Sequence, residues 1–317
     1  MKSKIQFIAA FSAAVLLFAC NGETPSTGET KLSGSVSIDG SSTVYPITEA
    51  VATEFMVVNP DVKVTVGESG TGGGFKKFGR GEIDINDASR PIKSSEDSAA
   101  KAEGISYIEL KVAFDGLTIV VNPKNTWCRD ITTDELKKLW EPAAQGVITK
   151  WNQIRPEWPA EEIHLFGAGT QSGTFDYFTE EIMGKKGDCR GDYTASEDDN
   201  VLVQGVAGDK NALGFFGIGY FEANKDKLKA VSVNGVMPSI ETVKNKSYTP
   251  LGRPLFIYIN SKAGARKEVQ EFARFYLANG ATLSQAVGFV PMTAEETTAE
   301  QAKLEEFIKT HAAAAPH

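Results

Sequence analysis

The sequence predicts an α/β fold. Strand-like and helix-like periodicities alternate along the chain, three Ser/Thr/Gly-rich loops each separate a strand from a helix, and 317 residues suit two domains better than one. Val62, Val64 and Val66 alternate as a strand, and Ile83 and Ile85 repeat the pattern. Residues 117–121, apolar but for Thr118, suggest a strand buried on both faces. Val44, Ile47, Val51 and Phe55 recur at helical spacing, with Pro46 tolerated in the first turn and Asn59-Pro60 as a stop. Thr132 and Thr133 are candidate caps for a helix over 134–140, whose apolar face is Leu136, Leu139 and Trp140. Phe175, Phe178 and Ile182 mark another helix, and residues 266–277 a further one. Thr293-x-x-Glu296 reads as a capping box opening the last helix, which carries Leu304 and Phe307.

The chain holds 33 Lys and Arg against 41 Asp and Glu, a formal charge of −8, with 41% hydrophobic and 23% charged side chains. Such a composition is ordinary for a globular protein and excludes a disordered or collagen-like chain. The acidic balance argues against a nucleic-acid partner, which needs a basic surface. It favours no anionic ligand either.

Residues 1–19 read as a signal rather than as part of the fold. Lys2 and Lys4 precede an apolar run over 5–18, too short for a ~30 Å hydrocarbon core but suited to an export signal. The run closes in Leu17-Phe18-Ala19-Cys20, which looks like a bacterial lipobox with Cys20 as the lipidated residue. A plain secretory signal with an incidental cysteine is the alternative. Removing residues 1–19, with Lys2 and Lys4, takes the net charge from −8 to −10. Residues 20–32 then form a polar, turn-rich tether. No later segment reaches 18 uninterrupted apolar residues, so the expectation is a lipoprotein anchored at the periplasmic or extracytoplasmic face of a membrane.

Cys128 and Cys189 remain. In an oxidising compartment such a pair reads as a disulfide, with two free buried thiols as the alternative. Metal chemistry looks poor, because of the three histidines, His164, His311 and His317, two lie in the tail. No metal or cofactor is expected.

The chemistry concentrates in three loops: Gly40-Ser41-Ser42-Thr43-Val44, Ser69-Gly70-Thr71-Gly72-Gly73-Gly74-Phe75 and Gly169-Thr170-Gln171-Ser172-Gly173-Thr174-Phe175. A helix start presents unpaired N–H groups and the positive end of a dipole. Glycines let an anion approach that backbone, and hydroxyls add donors. Alone, each loop could simply be a helix cap; three on one exported chain point to an anion. Nucleotide motifs do not fit, since neither GxxxxGK[ST] nor a helix-opening GxGxxG occurs. A GxSxG elbow is missing as well.

Gly40-Ser-Ser-Thr-Val-Tyr-Pro46, Gly70-Thr-Gly-Gly-Gly-Phe75, Asp87-Ala-Ser-Arg-Pro91 and Gln171-Ser-Gly-Thr-Phe-Asp-Tyr-Phe178 resemble, in order and spacing, the periplasmic phosphate-binding proteins of Pst-type ABC transporters. The stretch 196–207 resembles one branch of that family, and the likeness covers about residues 35–290. The resemblance implies a two-lobe periplasmic-binding-protein fold (type II), each lobe a mixed sheet flanked by helices. Two hinge strands would cross near 113–116 and 250–254. Lobe one would comprise 33–114 plus 252–311, and lobe two 115–251. The family grips phosphate with groups that match Thr43, the Val44 N–H, Thr71, Ser89, Ser172, Gly173 and Thr174, with Ser42 beside them in the first loop.

Two departures from the family pattern stand out. Many members carry an aspartate where this chain has Arg90, and an arginine where it has Ala168. The resemblance therefore leaves Arg90 or Arg190 as the cation. Arg90 could instead form only a surface or inter-lobe ion pair. Phosphate near neutral pH carries a proton and sulfate does not, so an acceptor carboxylate would select phosphate. Asp87 is nearest in sequence, with Asp39 and Asp176 open. The expected function is high-affinity binding of inorganic phosphate and delivery to ABC transporter permease subunits, by a monomer that catalyses nothing. Rivals are a binding protein for sulfate, molybdate or arsenate, a secreted phosphoesterase, and an adhesive or regulatory lipoprotein.

Overall fold

The computed structural model describes residues 31–170, 172–196 and 198–312. The segment read as an export signal, Cys20 and most of the tether lie outside the described residues. The chain opens as three strand–helix units: β1 (Gly34–Gly40), α1 (Tyr45–Val58), β2 (Val62–Val66), α2 (Thr71–Gly79), β3 (Ile85–Ala88) and α3 (Ser94–Ala102). The long strand β4 (Tyr107–Val121) follows, then β5 (Asp130–Ile131) and α4 (Thr133–Trp140). Next come β6 (His164–Ala168), α5 (Gly173–Met183), β7 (Thr194–Ser196), α6 (Asp199–Gly208), β8 (Ala212–Gly217) and α7 (Ile218–Ala223). Short elements β9 (Lys229–Ala230), β10 (Ser232–Val233) and α8 (Ile240–Lys244) lead into β11 (Gly252–Asn260). The chain closes with α9 (Ser261–Gly264), α10 (Lys267–Ala286), β12 (Val290–Pro291) and α11 (Ala294–Ala312).

Among the described residues the main sheet has the order β2-β1-β3-β11-β4-β8-β6-β7, with β12 and β9 as further partners of β4. Its central strand changes partner midway. Residues 107–116 of β4 pair antiparallel with β11, and residues 117–121 pair antiparallel with β8. The first half of the sheet adds the parallel strands β1, β2 and β3, and the second half the parallel set β8, β6 and β7. At the change of partner Gly116 faces Gly252 and Asp115 faces Arg253, and the Leu117 N–H donates to the Leu251 carbonyl at 2.8 Å. Val112 is bulged out of register, which re-aims the side chains that follow.

The strand expected over 117–121 is thus the second part of a 15-residue strand. Its first part carries Glu109, Lys111 and Asp115, charges that hide a strand from hydropathy alone. The helix expected over 266–277 runs on to Ala286. Thr132 and Glu135 form the capping box of α4, and Thr293 and Glu296 exchange both bonds of theirs. Apolar helix faces close the two halves. Phe55 of α1 meets Phe272 and Phe275 of α10 edge-on at 5.3 and 5.4 Å. In the second half Phe178 stacks on Phe215 at 3.9 Å, with Trp140 edge-on to both. Burying one such ring contributes roughly 1.5–3 kcal/mol.

The expected Cys128–Cys189 disulfide is not formed: both are free thiols. Each is held by its own neighbours. The Cys128 N–H donates to Asn125 Oδ1 at 3.0 Å, while Cys189 precedes Arg190, whose guanidinium is pinned in place. Burial pushes the Cys128 thiol up to about 12 and the Cys189 thiol to about 11. Neither is then the thiolate that begins disulfide chemistry.

Candidate functional site

Each motif loop hangs from the C-terminal end of a parallel strand, the usual place for a site in an α/β sheet. After β1, the Ser41 N–H donates to the Asp87 carbonyl at 3.0 Å and Ser41 Oγ accepts from the Thr43 N–H at 3.2 Å. These bonds fix Ser42 and Thr43 at the mouth of α1. After β2, Asp39 gathers the second loop: Ser69 donates to it from both N–H and Oγ, and Lys77 pairs with it at 2.6 Å. Burial would raise Asp39, but the bonds from Lys77 and Ser69 outweigh it and hold the carboxyl below its usual range. At the start of α2, Thr71 Oγ1 and Ser89 Oγ share a hydrogen bond of 3.1 Å, and the Ser89 N–H donates to Thr71 Oγ1 at 3.2 Å. After β6, Ser172 caps α5 by accepting from the Thr174 N–H at 3.1 Å.

The first and third loops touch. Thr43 Oγ1 lies 3.5 Å from the Gly173 carbonyl oxygen, and Ser42 Oγ donates to Asp176 Oδ2 at 3.1 Å. A Cβ at residue 173 would come within 3.0 Å of the Ser42 carbonyl group, so only glycine admits this approach without a shift. The contact divides the cleft in two. One cavity of about 300 Å³ is lined by Ser42, Thr43, Thr71, Ser89, Arg90 and Arg253, among others. The other, of about 250 Å³, is lined by Ser42, Thr43, Asp115, Ser172, Gly173 and Thr174, among others.

Of the residues singled out by sequence, these two cavities gather Ser42, Thr43, Thr71, Ser89, Arg90, Ser172, Gly173 and Thr174. Val44 is buried and its N–H donates to the Ser41 carbonyl at 3.1 Å. Asp87 lines neither cavity; it sits beneath the first loop, accepting from Thr48 Oγ1 at 3.0 Å, and burial pushes it up to about 8. Arg190 is remote from the cleft. It is buried in the second half, donating to the Leu139 and Ile148 carbonyls and pairing with Asp192. Arg90 lines the cleft but gives both terminal nitrogens to Glu96 at 2.8 Å. His164 sits exposed at the start of β6 beside Asp209.

Two residues that the motifs do not reveal complete the walls. Arg253 stacks on the Tyr177 ring, 3.3 Å from its centroid, and donates to Thr43 Oγ1 at 3.1 Å. Asp115, 5% exposed, faces it across the β4–β11 pair. The available signal was their place: both lie in the segments where the chain was expected to cross.

A family model described as a PBP superfamily domain matches residues 25–279, a span that takes in both halves of the sheet and all three motif loops. The chain belongs to the PBP superfamily. The fold expected from the motifs is the fold of that superfamily. Protein SphX of Synechococcus elongatus is 54% identical over 269 residues, 83% of this chain and 79% of the relative. Phosphate-binding protein PstS of Staphylococcus saprophyticus is 40% identical over 305 residues, 94% of this chain and 93% of the relative. The crystal structure of "a possible phosphate binding protein" from Planctomyces limnophilus superposes with a TM-score of 0.84 at 47% identity, covering 87% of this chain and 99% of that one.

Proposed function

We propose that this chain binds inorganic phosphate between the two halves of its sheet and delivers it to the permease subunits of an ABC transporter. The observation that carries the reading is the meeting of the first and third motif loops at Thr43: the hydroxyl-bearing residues Ser42, Thr43, Thr71, Ser89, Ser172 and Thr174 line two adjoining cavities beside the starts of α1, α2 and α5. Oriented N–H and O–H dipoles suit a compact oxyanion better than a flat or apolar ligand. The relative named as a phosphate-binding protein supports that choice of anion.

In this reading the halves act as lobes that close on the anion about β4 and β11, excluding water and completing the donor set only when shut. The first half contributes Thr43, Thr71 and Ser89, and the second contributes Ser172, Gly173 and Thr174. The closed, loaded form is what the membrane subunits recognise. Cys20 carries the lipid that keeps this monomer near them, outside the cytoplasm. The chain itself is a binding protein, and the phosphate leaves unchanged.

Calorimetry with phosphate, sulfate, molybdate and arsenate at pH 5–9 tests the reading. One phosphate per chain, with sulfate much weaker, is the expected result. Tight binding of another oxyanion in preference to phosphate would overturn it, as would turnover of a chromogenic phosphate ester. Mass analysis of the membrane-bound protein checks the lipid on Cys20.

A further inference from the structure

The end of the first half farthest from the cleft carries a surface that the binding site does not use. β1 and α1 reach the cleft at Gly40 and Tyr45, and their other ends, Gly34 and Val58, meet the start of β2 at the opposite pole. There the Gly34 N–H donates to the Asp61 carbonyl at 3.3 Å and the Val62 N–H to the Asn59 carbonyl at 3.0 Å. The 14 residues of α1 set this pole about 21 Å from the cleft. The helix stops on Phe55-Met56-Val57-Val58, with no basic residue in its last turn, where the helix dipole would favour one. Phe55 is buried, but Val57 and Val58 are 71% and 62% exposed, the highest values for a large hydrophobic among the described residues. Beside them runs a groove of about 490 Å³ lined by Leu32, Phe55 and Phe275, with Lys267, Glu271 and Arg274 among its charged members. Adjacent exposed valines next to an apolar groove form a patch, which scattered surface hydrophobics do not.

We infer that this pole is a resting face on a lipid bilayer: Val57 and Val58 enter the interface, and the cleft is turned away from the membrane. This rests on the lipid proposed on Cys20. Leu32 lines the groove, and Cys20 stands twelve residues before it in the chain. A link of that length reaches at most roughly 40 Å, so the bilayer that holds the lipid lies within reach of this pole. Two valines bind a bilayer too weakly to hold a free protein. The tether makes their encounter intramolecular, and a high effective concentration then suffices for a weak contact. The charges along the groove are of both signs, so neutral lipids serve and salt changes little. The outcome is an orientation. A body resting on this pole opens its cleft to the surrounding solution, where the anion arrives, and turns over on its tether to meet the membrane subunits.

A fluorophore on Val58→Cys in the lipidated chain, bound to phosphatidylcholine vesicles whose acyl chains carry spin labels, tests the face. Met237→Cys, at an exposed apolar position between β10 and α8, carries the control label, and the unmodified chain measures any labelling of Cys128 and Cys189. The label at residue 58 should be quenched and the label at residue 237 should not, at low and high salt alike. Adding Val57→Glu, which places a charge in the interface, should abolish most of the quenching at residue 58 while phosphate affinity stays that of the unmodified chain. Equal quenching at both positions, or none at residue 58, overturns the resting face and leaves the lipid and the phosphate reading intact. A change in emission at residue 58 that grows with protein density on vesicles without spin labels identifies a second copy of the chain as the occupant, and overturns it too. Mass analysis that finds no lipid on Cys20 overturns the anchor reading and, with it, this face.

Discussion

At the scale of single residues, each donor to a buried anion carries a definite share of affinity. Removing one hydrogen bond to a charged group costs about 1.5–3 kcal/mol, or roughly 10–150-fold. Thr43→Val and Ser172→Ala should therefore weaken phosphate binding by that factor while thermal unfolding stays cooperative. Unchanged calorimetric affinity in both would remove them from the site. Arg190 gives the opposite expectation, because it holds the Leu139 and Ile148 carbonyls and Asp192, away from the cleft. Arg190→Gln should lower stability by about 1.5–3 kcal/mol, read by urea unfolding, with phosphate affinity unaltered. The hydroxyl-bearing residues that line the cavities were legible because Ser, Thr and Gly between a strand and a helix announce donors. Arg253 and Asp115 were not, because each lies inside a strand and their meeting depends on antiparallel register between segments far apart in sequence. Arg190 misled for the converse reason: proximity to Cys189 in the chain says nothing about which carbonyls a guanidinium can reach.

At the scale of elements, helix starts and strand ends set how closely the two sides of the cleft approach. The N-terminus of α5 rests on Ser42 and Thr43 through Gly173. Gly173→Val would drive its side chain into the Ser42 carbonyl group and hold the loops apart. Phosphate affinity should fall at least tenfold with secondary structure by circular dichroism unchanged, and full affinity would show that this contact is dispensable. Periodicity served well where an element has one apolar face, as in α1 and α10. It failed along β4, where solvent-facing charge gives way to complete burial after the bulge at Val112. No local pattern signals a strand that serves two halves of a sheet.

At the scale of the whole molecule, one buried acid tunes stability. Asp87 is wholly buried, with Oδ1 accepting from Thr48 and Oδ2 without a hydrogen-bond partner. Burial moves its carboxyl from an ordinary 3.8 to about 8, with Thr48 opposing and Asp39 adding to the rise. Between those values the folded chain keeps a proton that the unfolded chain has lost. Stability then falls as pH rises, by up to about 1.4 kcal/mol per unit from this group. Asp87→Asn should gain on the unmodified chain between pH 5 and 8 when both are unfolded in urea. An equal difference at the two pH values would show that Asp87 does not titrate in that range.

The pairing of β4 with β11, continuous from Ala113 to Gly116, also constrains how the cleft can open. A two-stranded ribbon resists stretching and sliding but yields to torsion. At Gly116 a side chain would collide with Val243 of α8 and Ile218 of α7, so those helices grip the ribbon where it passes between the halves. Any opening has to wind or unwind this gripped ribbon about its own length. Groups on the axis of such a rotation barely travel, whereas the loops carried by β1 and β6, two strands away on either side, sweep the widest arcs. Asp115 and Arg253 sit on that axis. Any such opening would carry the motif loops apart and leave Asp115 and Arg253 nearly in place.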